Sequence, residues 1–140
     1  MSAQDLEFTH KLADAADKIS MARFGAMDLK IETKPDLTPV SDADKSVEEE
    51  LRKLIGKYSS TDSIIGEEFG HDEGGNREWI LDPIDGTKNF VRGVPFWGTL
   101  IGLRVDGVMT TGMVSAPALG RRWFGATGLG SFLQTKTNSF

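Results

Sequence analysis

Residues 79 to 90 read WILDPIDGTKNF: an apolar run ends in Asp82-Pro83-Ile84-Asp85, and Gly86-Thr87 follows at once. Two carboxylates three positions apart, with a glycine and a hydroxyl behind them, are an odd way to end a strand. Further acids punctuate the chain: Glu67-Glu68 close the run SIIG, and Asp44 stands just after Ser41. Carboxylates gathered in one place repel, and each is costly to ionise unless a cation lies among them. Hard divalent ions such as Mg²⁺ take oxygen ligands from carboxylates, carbonyls and water. Pro83 fixes its own φ and biases Asp82 towards extended backbone. Both aspartates can then face one pocket, with the Ile84 carbonyl between them. Gly86 and Thr87 fall at the expected start of a helix (85–89), where unpaired N–H groups suit a phosphate and glycine permits close approach. Thr87 can also orient a water, provided its hydroxyl passes a proton to a nearby carboxylate.

Each feature also has a plain reading. Asp-Gly-Thr is ordinary turn chemistry, Glu67-Glu68 a solvated strand end, and Asp44 an acid favoured at a helix start. Lys88 and Arg92 read as surface charges, and His10 and His71 as isolated surface residues. Trp79, Phe90, Phe96, Trp97 and Trp123 read as core. The combination, not any one member, carries the signal.

The elements that must position these residues follow from the pattern. Leu6, Leu12, Ala15, Ala16, Ile19 and Phe24 recur at near-helical spacing over 4–24. LKIE (29–32) reads as a short strand and TKPDLTP (33–39) as a loop. Ser41 and Asp44 come close to a capping box, with Asp in the place of the usual Glu or Gln. A second helix follows on Val47, Leu51, Leu54 and Ile55, with Gly56 expected to close it. SIIGEEF (63–69) and EWILD (78–82) are buried strands flanking the polar loop HDEGGNR (71–77). Beyond residue 95 the chain reads as a meander of strands and turns, with Asp106-Gly107 as a type I′ hairpin. The final QTKTNSF shows no strand pattern and is expected to fray. Helices first and a meander second give an α+β layered class.

Composition narrows the functions. Sixteen Lys and Arg against 21 Asp and Glu give a net charge of −5, which argues against nucleic acid or an anionic membrane as partner. An anionic substrate stays compatible, because a bound cation reverses the local field. With no cysteine, thiolate metal sites, disulfides and thiol nucleophiles are excluded. The acidic N-terminal stretch does not read as a signal peptide, and no apolar run approaches a membrane span. A cytoplasmic protein is expected, of 140 residues forming one domain's worth of chain.

WILDPIDGTKNFVRGVPFWGTLIGL resembles the signature of the inositol monophosphatase family of Mg²⁺-dependent phosphatases. VSDAD (40–44) resembles that family's upstream Val-Thr-x-x-Asp element, with Ser41 in place of the usual Thr, and IIGEE (64–68) its Gly-Glu-Glu element. The wording of TKPDLTPVSDAD and DGTKNFVRGVPFWGTLI is most similar to the bacterial histidinol-phosphate phosphatases, with inositol-phosphate hydrolysis as the alternative. The resemblance implies a layered α/β/α/β sandwich with two N-terminal helices and an antiparallel sheet. It implies that Glu67, Asp82 and the Ile84 carbonyl hold a first Mg²⁺, that Asp82 and Asp85 hold a second, and that Glu67 with waters holds a third. It assigns phosphate binding to Gly86 and Thr87, and water activation to Thr87 paired with Asp44. In-line displacement by a metal-activated water on a small phosphorylated metabolite follows, with a mobile loop around 34–39 and a possible homodimer.

Members of that family are about twice this long, and a Trp-Asp element in their second half completes the second metal. No such segment stands in these residues, which are expected to be the N-terminal portion of such a domain (1–140). An antiparallel sheet cut there would expose an edge and an apolar face. Two rivals differ in class. A haloacid-dehalogenase-type phosphatase also uses Asp-Gly-Thr, but its two aspartates lie two apart rather than three. A non-catalytic fragment that acts only by association is the other.

Overall fold

The computed structural model describes residues 2–72 and 75–136. α1 (Ser2–Arg23) and α2 (Asp42–Tyr58) pack against each other and lie on one face of a sheet. The buried side of α1 is built from Leu12, Ala13 and Ala16 together with Thr9 and Ser20. Small side chains let this helix sit close to its neighbours.

α2 begins where the sequence places it. Ser41 is the N-cap, and the reciprocal bonds of a capping box form with Asp44 although the acid is one methylene short of the usual Glu. Gly56 does not close the helix, which continues to Tyr58 before Ser59 caps it by donating to the Ile55 carbonyl at 2.9 Å. Tertiary contacts carry the last turn past the glycine. The Tyr58 ring stacks on Phe8 with centroids 3.8 Å apart, and its hydroxyl donates to Asp5 Oδ1 at 2.9 Å.

β1 (Ile31–Thr33) and β2 (Pro39–Ser41) form a separate hairpin, so the expected strand slides towards the expected loop. The main sheet holds β3 (Ser63–Gly66), β4 (Gly70–His71), β5 (Arg77–Asp85), β6 (Gly98–Val105), β7 (Val108–Ala116), β8 (Arg121–Ala126) and β9 (Gly130–Thr135). Its order is β4-β3-β5-β6-β7-β8-β9. The meander is antiparallel as read, but β3 and β5 are parallel, so the sheet is mixed. The Asp106-Gly107 hairpin has both φ values positive, at 50° and 80°, as a type I′ turn demands. Gln134 and Thr135 belong to β9, paired with Arg122 and Arg121. That part of the expected frayed tail is therefore strand, while 137–140 lie outside the described residues.

The covered face holds Trp79, Leu81, Ile101, Leu103 and Met113 against Leu12, Val47, Leu51 and Ile55. Among the described residues nothing packs over the opposite face. Register aligns Asp82, Leu100, Val114, Trp123 and Leu133 in one row across it, and Trp123 and Leu133 are 38% and 54% exposed. The described residues thus supply one helical layer and one sheet of the expected layered α+β sandwich. Among them, no helix is long and apolar enough to cross a membrane.

Candidate active site

The site begins with a fault in β5. Asp82 pairs with Leu100, yet Asp85 pairs with Gly98, so three steps along β5 match two along β6. In a regular strand, residues three apart point to opposite faces. One extra residue restores them to the same face, and this β-bulge turns both acids to one side. The stiffness of Pro83 is therefore not the main cause. Pro83 and Ile84 are both buried, and Thr99 Oγ1 holds the Pro83 carbonyl at 2.8 Å. A bulge also tolerates proline, which has no N–H to give the ladder.

The parallel pairing of β3 with β5 brings the third acid alongside. Glu67 leaves the end of β3 and donates its N–H to the Leu81 carbonyl at 3.2 Å. Glu67, Asp82, Ile84, Asp85, Gly86 and Thr87 all line one cavity of about 450 Å³, whose walls carry five acids and two lysines. Burial, with help from Asp85 and Glu67, pushes the Asp82 carboxyl up to about 7. Burial also raises Glu68, against the pull of Lys34.

Asp44 lies behind the cavity wall, 1% exposed. Thr87 Oγ1 reaches it at 2.8 Å and the Ile84 carbonyl at 3.1 Å; the single hydroxyl proton favours the shorter contact with Asp44 Oδ1. The other Asp44 oxygen accepts from the Ser41 N–H at 2.9 Å and from its hydroxyl at 2.5 Å. α3 (Thr87–Val91) begins two residues later than expected, after the N-cap Gly86, whose φ of 91° suits glycine. A side chain there would also press on the Phe96 carbonyl, 3.1 Å from an added Cβ. Phe90 anchors α3 in a small cluster with Ala43, Ile84 and Trp97.

The donor set fits a hard divalent ion: carboxylates and a carbonyl, with no thiolate or imidazole in the wall. It is not a closed cage. Among the described residues no three acids or histidines stand close enough to enclose an ion. Lys34 Nζ instead sits 2.9 Å from Glu68 and 4.0 Å from Glu67. Its ammonium offsets part of the repulsion that a cation would otherwise relieve. The expected convergence is thus one of walls around a shared cavity rather than a finished ligand shell.

A larger cleft of about 540 Å³ lies between α1 and the β8–β9 end of the sheet. Its central guanidinium, Arg122, is already held by Asp17 at 2.7 Å and Asp14 at 3.0 Å, and none of the motif residues reaches it. His10, expected to be isolated, is half-buried with Nδ1 3.1 Å from Arg122 and its ring against Phe124. Trp79, Phe90 and Trp97 are core as read, whereas Phe96 at 65% and Trp123 at 38% are exposed. His71, Lys88 and Arg92 are exposed as expected.

Two neighbours of the site escaped the motif reading. The sequence places Lys34 in the loop around 34–39 but gives no sign of its pairing with Glu68. Glu48, fully buried, left a trace in the spacing Asp44-x-x-x-Glu48-x-x-x-Arg52 beside the apolar stripe of α2, which puts all three on one helical face.

The sequence profile of the inositol monophosphatase family matches residues 1–139. The chain belongs to the inositol monophosphatase family. A histidinol-phosphatase of Mycobacterium tuberculosis is 56% identical over 133 residues, covering 94% of this chain and 51% of that protein. A histidinol-phosphatase of Streptomyces coelicolor is 55% identical over 132 residues, covering 91% and 50%. Among solved structures, an IMPase of Thermotoga maritima superposes with a TM-score of 0.87 at 32% identity, covering 95% of this chain and 52% of the other. The chain spans about half the length of the curated relatives it matches.

Proposed function

We propose that this chain is the N-terminal portion of a Mg²⁺-dependent phosphomonoesterase that hydrolyses histidinol phosphate in the cytoplasm. The observation that carries the reading is the β5 bulge, which turns Asp82 and Asp85 towards the cavity that Glu67 and Thr87 also line. Glu67, Asp82, the Ile84 carbonyl and Asp85 would hold the metal. Bound there, Mg²⁺ would acidify a water and neutralise charge on the departing alkoxide. The chain's own groups do the rest. Thr87 accepts a proton from the attacking water as it gives its own to Asp44, whose charge is steadied by the two bonds from Ser41. The first-turn N–H groups of α3, which have no intrahelical acceptor, face the phosphoryl oxygens, and Gly86 leaves room for them. No residue is phosphorylated on this route.

The names of the two histidinol-phosphatases, at 56% and 55% identity, favour histidinol phosphate over inositol phosphates. The test is Mg²⁺-stimulated phosphate release by the purified chain from histidinol phosphate and from inositol 1-phosphate, with Asp85→Asn as control. Release that prefers histidinol phosphate and vanishes in the control supports the reading. Faster cleavage of inositol 1-phosphate overturns the substrate.

A second reading, binding without turnover, is favoured by the open ligand shell and by the half-length match. Metal binding with no phosphate release would support it, as would homodimerisation of an inactive chain.

A further inference from the structure

Glu48 is a completely buried carboxylate that the proposed chemistry does not use. It projects from α2 one turn beyond Asp44 and grips the backbone just past β3. Its Oε1 accepts from the Glu68 N–H at 2.7 Å, and its Oε2 from the Phe69 N–H at 2.8 Å. Arg52 Nε balances the charge at 3.0 Å on Oε2. The residue immediately before the turn is Gly66, and a Cβ added there would fall inside the Glu48 carboxylate. Glycine at 66 is thus what admits the acid. Glu67 is then held from both sides: its N–H by the Leu81 carbonyl of β5, and the two residues after it by Glu48.

A buried ion pair with Arg52 that merely stabilises α2 is the simpler account. It would need only one carboxylate oxygen, and it gives no reason for Oε1 to point away from Arg52 at the amide next to Glu67. We propose that Glu48 is a positioning residue that fixes the Glu67–Phe69 turn so that the Glu67 carboxylate stays at the cavity wall. The proposal rests on the reading of Glu67 as a metal ligand. One helix then serves both halves of the site, with Asp44 on Thr87 and Glu48 on the turn carrying Glu67.

The experiment measures Mn²⁺ binding to the intact chain, by the paramagnetic resonance of free Mn²⁺, below the melting temperature of each variant. Glu67→Gln is the reference for loss of the ligand itself. Glu48→Gln keeps the shape but turns an amide NH₂ towards one of the two backbone donors. It is expected to weaken Mn²⁺ about 10- to 100-fold, the range for groups that hold a metal ligand in place, with an unchanged circular dichroism spectrum. Gly66→Ala, which displaces the same carboxylate, is expected to weaken Mn²⁺ similarly, and the double variant to be no worse than either single one. A folded Glu48→Gln chain that binds Mn²⁺ like the wild type overturns the proposal, however far its melting temperature falls. If Glu67→Gln also binds like the wild type, the ligand reading fails with it. Should Glu48→Gln not fold, hydrogen exchange of the wild type decides. Protected Glu68 and Phe69 amides that slow further on adding Mn²⁺ support the proposal, and amides that exchange freely overturn it.

Discussion

At the scale of single residues, the site is a matter of which protons sit where. Asp82, with its carboxyl raised to about 7 by burial and then by Asp85 and Glu67, binds a proton more tightly in the folded chain than in the unfolded one. Its contribution to stability is therefore fully present below about pH 4, the ordinary carboxylate value. It is lost as the pH rises towards 7. A cation reverses the sense, since it must displace that proton to bind. The expected outcome is a Mg²⁺-induced rise in melting temperature that is large at pH 7.5 and small at pH 5. Equal rises at both values would count against a raised Asp82 carboxyl among the ligands. Thr87→Val removes the hydroxyl that reaches Asp44. Phosphate release is expected to fall about 10²- to 10⁴-fold, the usual size of a proton-transfer contribution, while Thr87→Ser retains most activity. The denaturation midpoint of Thr87→Val separates this from a stability effect, which one lost hydrogen bond limits to about 1 kcal/mol.

At the scale of elements, α2 is where stability and chemistry overlap. Its N-cap Ser41 also supplies two hydrogen bonds to Asp44. Ser41→Ala is expected to cost about 1 kcal/mol in urea unfolding, as loss of an N-cap does, and also to slow phosphate release. An unchanged rate would mean that Asp44 needs no help from its cap. This element was legible in the sequence, because capping residues and an apolar stripe are local signals. The acids of the site were legible by type, and their common pocket was expected, but the cause of their shared side was not. A bulge arises from how two strands pair, and nothing local in DPID distinguishes it from a stiff turn. Gly56 misled for a similar reason: it is a helix breaker by propensity, overruled by the contacts of Tyr58 with Phe8 and Asp5. Glu48 is not legible as a site residue, because a lone acid on a helix reads as solvated unless its partners, here the amides of residues 68 and 69, are known.

At the scale of the whole molecule, the described residues clothe the sheet on one side only. Leu100, Val114, Trp123 and Leu133 line up across the uncovered side, and monomers rarely leave so contiguous an apolar strip open to water. The isolated chain is expected to bind the dye ANS and to self-associate in a concentration-dependent way, read by sedimentation. Trp123→Lys is expected to reduce both while leaving the helix-covered core intact. A strictly monomeric, dye-silent wild type would mean that this strip is not an association surface. The meander and its hairpin were legible from turn residues alone. The bare side was expected from the half-length resemblance and not from the strands themselves, since a half-covered and a fully covered sheet share the same alternation of side chains.

The extra residue in β5 sets the phase of everything after it. In-frame loss of the codon for Ile84, one of the two residues inside the irregularity, would leave every acid of the motif in place. It would leave the two aspartates two apart on one face of a now regular strand, but it would take away the carbonyl that stands between them. A gene so altered would keep the DP and DGT landmarks by which such proteins are recognised, and its product would lack one of the oxygen donors proposed for the metal.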